Sequence, residues 1–291
     1  MAGSSRTAAG RAARRPVWKE VEEDEARRVA NRVRAARRAR PTRRYAVVYD
    51  TSGPKVRLGI LWFLAALAAI AVSPLLVALL YGTTAAVAAG QTARAWRRRR
   101  ARPNEHVAMA VAGAMGLGAV LGAGGSGLAL LAGTILAYAA ATGDTRSKHP
   151  AVADAGWTLQ CAMPPGIAAM SMVLLARLDQ GSAIALLLLV SAYETGDYLV
   201  GSGARNPYEG PAAGGSAIVV ITFIVSTLPI SALDFGQAWA FGGAVLVLAP
   251  LGQLFASALL PTAGAPASGL RRLDSLLLAG PLWAYGVGFI I

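Results

Sequence analysis

Residues 56–100 read VRLGILWFLAALAAIAVSPLLVALLYGTTAAVAAGQTARAWRRRR. Two apolar runs, 56–72 and 75–96, meet at Ser73 and Pro74, and the second ends in a block of arginines. A bilayer core takes about 20 apolar residues in helical form. The stretch is therefore either two spans joined at Ser73-Pro74 or one overlong helix, and the choice inverts the orientation of everything downstream.

Working outward, apolar runs of similar length recur at 106–122, 125–142, 157–176, 182–200, 214–231, 237–259 and 274–291. With 56–72 and 75–96 kept separate, nine spans result. If the N-terminus is cytosolic, 27 of the 28 Lys and Arg then fall on the cytosolic side and only Arg177 lies outside. Merging the first two spans would put Arg97–Arg100 outside, against the bias of basic residues toward cytosolic loops. The expectation is an all-α, polytopic integral membrane protein in the plasma membrane, with nine transmembrane helices, N-terminus cytosolic and C-terminus outside. Its cytosolic loops are 97–105, 143–156, 201–213 and 260–273, and the outer connections are short and nearly uncharged.

Composition agrees. The chain is 55% hydrophobic and only 15% charged, with a net charge of +13 and a mean hydropathy of +0.49, whereas soluble domains carry roughly 25% charge. That excludes a soluble enzyme. One cysteine, Cys161, excludes an intramolecular disulfide and a Cys-built zinc cluster. Cys161 reads as a small buried apolar residue, since no basic partner is near it in sequence. Two histidines, His106 and His149, are too few for a His-built metal centre.

Residues 1–55 form a basic cytosolic arm, and 56–291 the membrane domain. The first 57 residues hold 16 Lys and Arg against 6 Asp and Glu. Within the arm, Trp18–Arg40 reads as one amphipathic helix with Trp18, Val21, Ala26, Val29, Val33 and Ala36 on a thin apolar stripe. Its acids come first and its arginines last, as the helix dipole favours. The arm reads as a solvated helix or as one drawn to anionic headgroups. With no aromatic residues among the arginines, no nucleic-acid partner is expected.

Gly122, Gly124 and Gly127 spell GxGxxG, but no strand precedes them, so a dinucleotide loop is not implied. Together with Gly118 they fit close helix packing. Pro164, Pro165 and Gly166 interrupt the fifth span, either as a cavity-lining break or as a kink. The acids carry more weight, because ionisable groups at membrane depth are costly. Glu194 and Asp197 are three apart and share a helix face. Arg205 and Glu209 follow, and Arg272 and Asp274 begin the last span. Acids of this kind suit a hard cation and arginines suit phosphate oxygens. Helix-end charge pairing at the headgroup level accounts for the same residues.

Leu270-Arg271-Arg272-Leu273-Asp274-Ser275-Leu276-Leu277, followed by Ala279-Gly280-Pro281, resembles the C-terminal signature of the phosphatidate cytidylyltransferases (CDP-diacylglycerol synthases). Glu194-Thr195-Gly196-Asp197-Tyr198-Leu199-Val200-Gly201 resembles a second motif of that family. Tyr208-Glu209-Gly210 with Gly214, and Gly252 with Ser257, resemble two more. The resemblance covers roughly residues 105–291. It implies CTP-dependent conversion of phosphatidate to CDP-diacylglycerol and pyrophosphate in phospholipid biosynthesis. It implies Glu194, Asp274 and Arg272 as catalytic residues and Arg205, Tyr198, Glu209, Gly210 and Ser275 as substrate-binding residues. For a catalytically active chain it further implies Mg²⁺ held by Glu194 and Asp274 and CTP as a partner; phosphatidate-like membrane lipids are partners in either case, and a homodimer is compatible. The departures lie at the acids: Gln253 and Arg271 stand where the family has Asp, and Ala256 where it has Glu. The alternative expectation is therefore a non-catalytic relative that binds lipid or a membrane partner.

Overall fold

The computed structural model describes residues 55–97, 102–144, 147–204, 206 and 208–291. The chain divides into two units, Met1–Arg43 and Arg44–Ile291. The first lies wholly outside the described residues, and so does the expected Trp18–Arg40 helix.

The described chain is all-helical, with no strand. Its elements are α1 (Lys55–Val72), α2 (Pro74–Arg97), α3 (Glu105–Gly118), α4 (Ala123–Thr142), α5 (Ala151–Leu178), α6 (Gln180–Gly201), α7 (Glu209–Thr227), α8 (Phe235–Ala258), the short α9 (Ser268–Arg271) and α10 (Leu276–Ile290). Six of them, α2 and α4–α8, are long and apolar enough to cross a membrane. Shorter apolar helices are Arg57–Val72, Glu105–Leu121 and Leu276–Ile290. A helix is the form such sequences take in lipid, because every backbone polar group must be satisfied within the chain.

The helix boundaries follow from local chemistry. Ser73 and Pro74 separate α1 from α2: proline cannot donate the next backbone bond but suits the first helical turn. Between α3 and α4 a single 3₁₀ turn, Ala119–Leu121, leads to Gly122, whose φ of +98° turns the chain back. Gly118 and Gly125 then meet backbone to backbone, and a Cβ on Gly118 would stand 2.7 Å from the Gly125 carbonyl. Gly124 and Gly127 face open space. The close approach expected of the glycine-rich stretch thus belongs to Gly118 and Gly125, and Gly124 and Gly127 take no part. Pro164 and Pro165 lie inside an unbroken α5, because neighbouring helices pack on both sides of it.

α5 is the central helix. It packs against α2, α3, α4, α6 and α10, and its buried stripe includes Cys161, Ala162, Ala168, Ala169, Met172 and Leu175. Polar contacts sort the links into two ends of the bundle. At one end, Gln180 at the start of α6 donates to the Ile70 carbonyl near the end of α1. Arg177 donates to the Ala119 carbonyl there as well, at 3.3 Å. At the other, Asn104 N donates to Thr158 Oγ1 at 2.9 Å and Arg94 pairs with Glu105 at 3.1 Å. Trp96 there packs on Trp157, with ring centroids 4.7 Å apart.

Asp179 fastens the first end. Its carboxylate caps α6 through the Gly181 and Ser182 amides, accepts from the Ser182 hydroxyl at 2.6 Å, and accepts the Ala232 amide from the α7–α8 link at 3.1 Å. Burial alone would raise its pKa, but the hydrogen bonds from Ser182, Ala232 and Gly181 outweigh that and hold it below the ordinary aspartate value. The sign follows: a lowered folded pKa gives stability that is complete above the unfolded value of about 3.9 and is lost as pH falls through the folded value. Thermal unfolding of the purified protein in detergent should show this acid slope. Asp179→Asn should flatten it, and Asp179→Ala should cost about 1 kcal/mol at neutral pH through the lost cap.

Candidate charged site at one end of the bundle

The site is assembled at the end of the bundle where α2, α6 and α8 finish. Glu194 and Asp197 come from the last turns of α6, Gln253 and Ser257 from the last turns of α8, and Arg271 from α9. Arg272, Asp274 and Ser275 lie in the link before α10. Asp274, expected to open the last span, precedes α10, which starts at Leu276. The difference arises because Arg272–Ser275 form turns that bring their side chains against α6 and α8.

Backbone contact makes that possible. Gly252 on α8 lies so close to the link that a Cβ there would stand 2.3 Å from the Asp274 carbonyl. Only glycine allows the helix to meet the chain at that distance. α9 is fixed in turn against α2, where Gly269 N donates to Gln91 Oε1 at 2.8 Å. Trp96 Nε1 donates to the Leu259 carbonyl at 2.7 Å, so the end of α8 is held as well.

The charges are arranged within this frame. Arg271 donates to Ser257 Oγ at 3.1 Å and to the Ala263 carbonyl at 2.9 Å, and its Nη1 lies 3.8 Å from Asp274 Oδ2. Asp274 is buried and accepts the Ser275 amide at 2.8 Å. Gln253, also buried, donates to Asp197 Oδ2 at 3.3 Å and accepts from the Tyr193 hydroxyl at 3.5 Å. The half-buried Glu194 carboxylate faces Asp274, Ser275, Arg272 and Asp197. Arg272 Nη1 reaches to 3.5 Å from where a Cβ on Gly59 of α1 would stand, and among the described residues no carboxylate lies within ion-pair distance of it.

The expected residues are thus gathered in part. Glu194, Arg272, Asp274 and Ser275 come together, joined by Asp197, Gln253 and Arg271. Arg205 lies outside the described residues. Glu209 is exposed at the start of α7 and accepts the Asn206 amide at 3.3 Å. Gly210 is buried beside it, and Tyr198 is half-buried on α6. Two residues near the site, Tyr193 and Tyr81, were not expected from sequence. The signal was available for Tyr81: an aromatic hydroxyl in mid-span, away from the interfacial belts where tyrosine collects.

A hard cation such as Mg²⁺ wants six oxygens in octahedral array. Among the described residues no three His, Cys, Asp or Glu side chains gather closely enough to hold a metal ion. The Asp274 carboxylate is shared with Arg271 and Ser275, and Asp197 accepts an amide. The donor set present therefore does not fit the Mg²⁺ that the resemblance implies. What the arrangement can do is neutralise negative charge: a guanidinium grips phosphate through parallel hydrogen bonds, and Arg272 is placed for one. No protein-family model matches the chain, and no curated protein matches it.

Removing the Arg271 side chain would leave Asp274 buried without its cation and two hydrogen bonds unmade. Arg271→Ala should destabilise the protein by about 3 kcal/mol. Arg271→Ala with Asp274→Ala should cost clearly less than the two single changes added, a coupling read by a double-mutant cycle of thermal unfolding in detergent.

Proposed function

We propose that this chain is a divergent, phosphatidate cytidylyltransferase-like membrane protein whose charged site holds the phosphate headgroup of a phosphatidate-like lipid without carrying out the transfer reaction. All nine apolar helices cross the plasma membrane, with the basic arm and the charged site on the cytosolic face and the C-terminus outside. The cytosolic assignment rests on the basic residues, which collect at the end of the bundle where Arg271 and Arg272 lie.

One observation carries the reading: Arg271, in the position of a family acid, ties Ser257, Ala263 and Asp274 together, and Arg272 beside it has no carboxylate in ion-pair range among the described residues. Nucleotidyl transfer needs the negative charge of a triphosphate neutralised where phosphorus is attacked, usually by carboxylate-bound metal. A guanidinium in place of an acid repels a cation and attracts a phosphate. In the same place, Gln253 supplies one neutral oxygen where a carboxylate would supply a charged one.

A second reading, retained CTP-dependent formation of CDP-diacylglycerol, is favoured by Glu194 facing both Asp274 and Ser275. The two separate in one assay. Purified protein with CTP, Mg²⁺ and phosphatidate-containing micelles should release no CDP-lipid, while retaining phosphatidate in preference to phosphatidylcholine. Arg272→Ala should weaken that retention about tenfold or more, as loss of a charge-assisted contact does. Formation of CDP-diacylglycerol that Asp274→Ala abolishes would establish the second reading instead.

The orientation has its own check. A periplasmic-type reporter fused after Ile291 should be active, and the same reporter fused within 143–156 should be inactive. Cytosolic placement of Ile291 would move the site to the wrong face for lipid synthesis or sensing in the cytosolic leaflet.

A further inference from the structure

Gly59 lies in the second turn of α1, one turn before Trp62, Phe63 and then Ala66 on the same helix face. That face is turned to the bundle: Trp62 packs on Tyr81 of α2, and Ala66 is buried. A Cβ on Gly59 would stand 3.5 Å from Arg272 Nη1, and among the described residues nothing else packed across from it would come within 4 Å. Other glycines around the site are pressed by their neighbours. A Cβ would stand 2.3 Å from the Asp274 carbonyl oxygen at Gly252 and 2.9 Å from the Ala88 nitrogen at Gly269. No such contact explains Gly59, and glycine within a helix is less favourable than alanine.

Gly59 and Arg272 are both half-buried, so the place where they meet is reachable from outside the bundle. α1 packs mainly against α2 and α6, and its outward side chains Leu58, Ile60, Leu61 and Leu64 are exposed and apolar. Two other flanks of the site are closed, by Gly269 of α9 on Gln91 of α2 and by Gly252 of α8 on the Asp274 link. The guanidinium of Arg272 therefore ends beside the flank that α1 alone borders, opposite a position with no side chain. Arg57, exposed two residues before Gly59, adds positive charge at nearly the same level.

Gly59 follows Lys55 and Arg57 at the start of an apolar helix, the level at which a bilayer carries its phosphates and below which acyl chains run. A guanidinium holds phosphate oxygens through parallel hydrogen bonds, and those oxygens need room beside it. We propose that the phosphate of a phosphatidate-like lipid sits between Arg272 and the Gly59 turn, with its acyl chains along the exposed apolar side of α1. The missing side chain at 59 keeps that seat open. Gly59 is then a specificity position: alanine still fits, because 3.5 Å from Arg272 is ordinary contact, whereas leucine takes the place of the phosphate oxygens. This deepens the lipid-phosphate reading above and rests on it.

The test uses the purified full chain in detergent, with dioctanoyl phosphatidate, dioctanoyl phosphatidylcholine and inorganic phosphate as probes. Affinity is measured by intrinsic tryptophan fluorescence. Gly59→Ala should keep phosphatidate affinity within about twofold, and Gly59→Leu should weaken it about tenfold or more, both with melting temperatures equal to or above that of the wild type. A second readout does not depend on a bulky variant. The single cysteine of the chain, Cys161, is buried, so Gly59→Cys adds an accessible thiol for a water-soluble maleimide. Phosphatidate should slow its labelling, whereas phosphatidylcholine should not and inorganic phosphate at the same concentration should do so far less. Gly59→Leu that binds phosphatidate as tightly as the wild type, while Arg272→Ala loses it, overturns the inference and leaves the lipid-phosphate reading standing. Labelling of Gly59→Cys that phosphatidate does not slow does the same. Equal protection by inorganic phosphate overturns the lipid seat in favour of a soluble phosphate. A wild type that binds phosphatidate no better than phosphatidylcholine overturns the lipid-phosphate reading and this inference with it.

Discussion

A charge carried into a helical bundle of this apolarity must find its compensation inside the bundle, and Arg271 is where that requirement is met. Its guanidinium joins α8 through Ser257, the 259–267 link through Ala263, and the approach to α10 through Asp274. Desolvating a carboxylate and a guanidinium is tolerable only when geometry is good and the remaining donors are bonded. Here two of the donors go to neutral oxygens and the acid has a backbone amide as well. The conformation of residues 259–275 depends on that arrangement, and the site depends on that conformation.

The same interaction shapes what the site can do. A carboxylate at position 271 would add to the negative potential of Glu194, Asp197 and Asp274 and favour a divalent cation. The arginine reverses this, drawing Asp274 into an ion pair and leaving a second arginine one residue away. Gln253 acts in the same direction, because its amide donates to Asp197 where an acid would have repelled it. Gln253 and Arg271, from two separate elements, thus set one local field. Its balance suits an anion better than a cation.

Individual elements show how far the sequence could be read. The apolar runs located, among the described residues, the six helices long and apolar enough to cross a membrane and three shorter apolar ones, because hydrophobic length and the proline at 74 are local properties. Glu194, Arg272, Asp274 and Ser275 were identified by resemblance in their motifs, and the fold does bring them together. Other readings failed where neighbours decided. Pro164 and Pro165 left a cavity-lining break or a kink open, and the break is excluded because α5 runs through them with five helices packed around it. Gly124 and Gly127 suggested close packing, but they face away from α3 and Gly125 makes the contact. Asp274 was placed at the start of a span and instead lies in a turn pressed on Gly252.

What the sequence determined by itself is the all-helical, membrane-type architecture, the position of each apolar helix, the concentration of basic residues at one end, and the identity of the charged groups. These follow from composition along the chain, where each residue's transfer free energy counts independently of its partners. Only the tertiary structure decided that Arg271 is tied to Ser257, Ala263 and Asp274, that Gln253 meets Asp197, and that Tyr81 packs edge-on to Trp62. Those pairings join residues up to 56 apart in the chain. They depend on which helix faces pack, and in an apolar bundle packing is set by the shape of small residues rather than by any pattern within one helix.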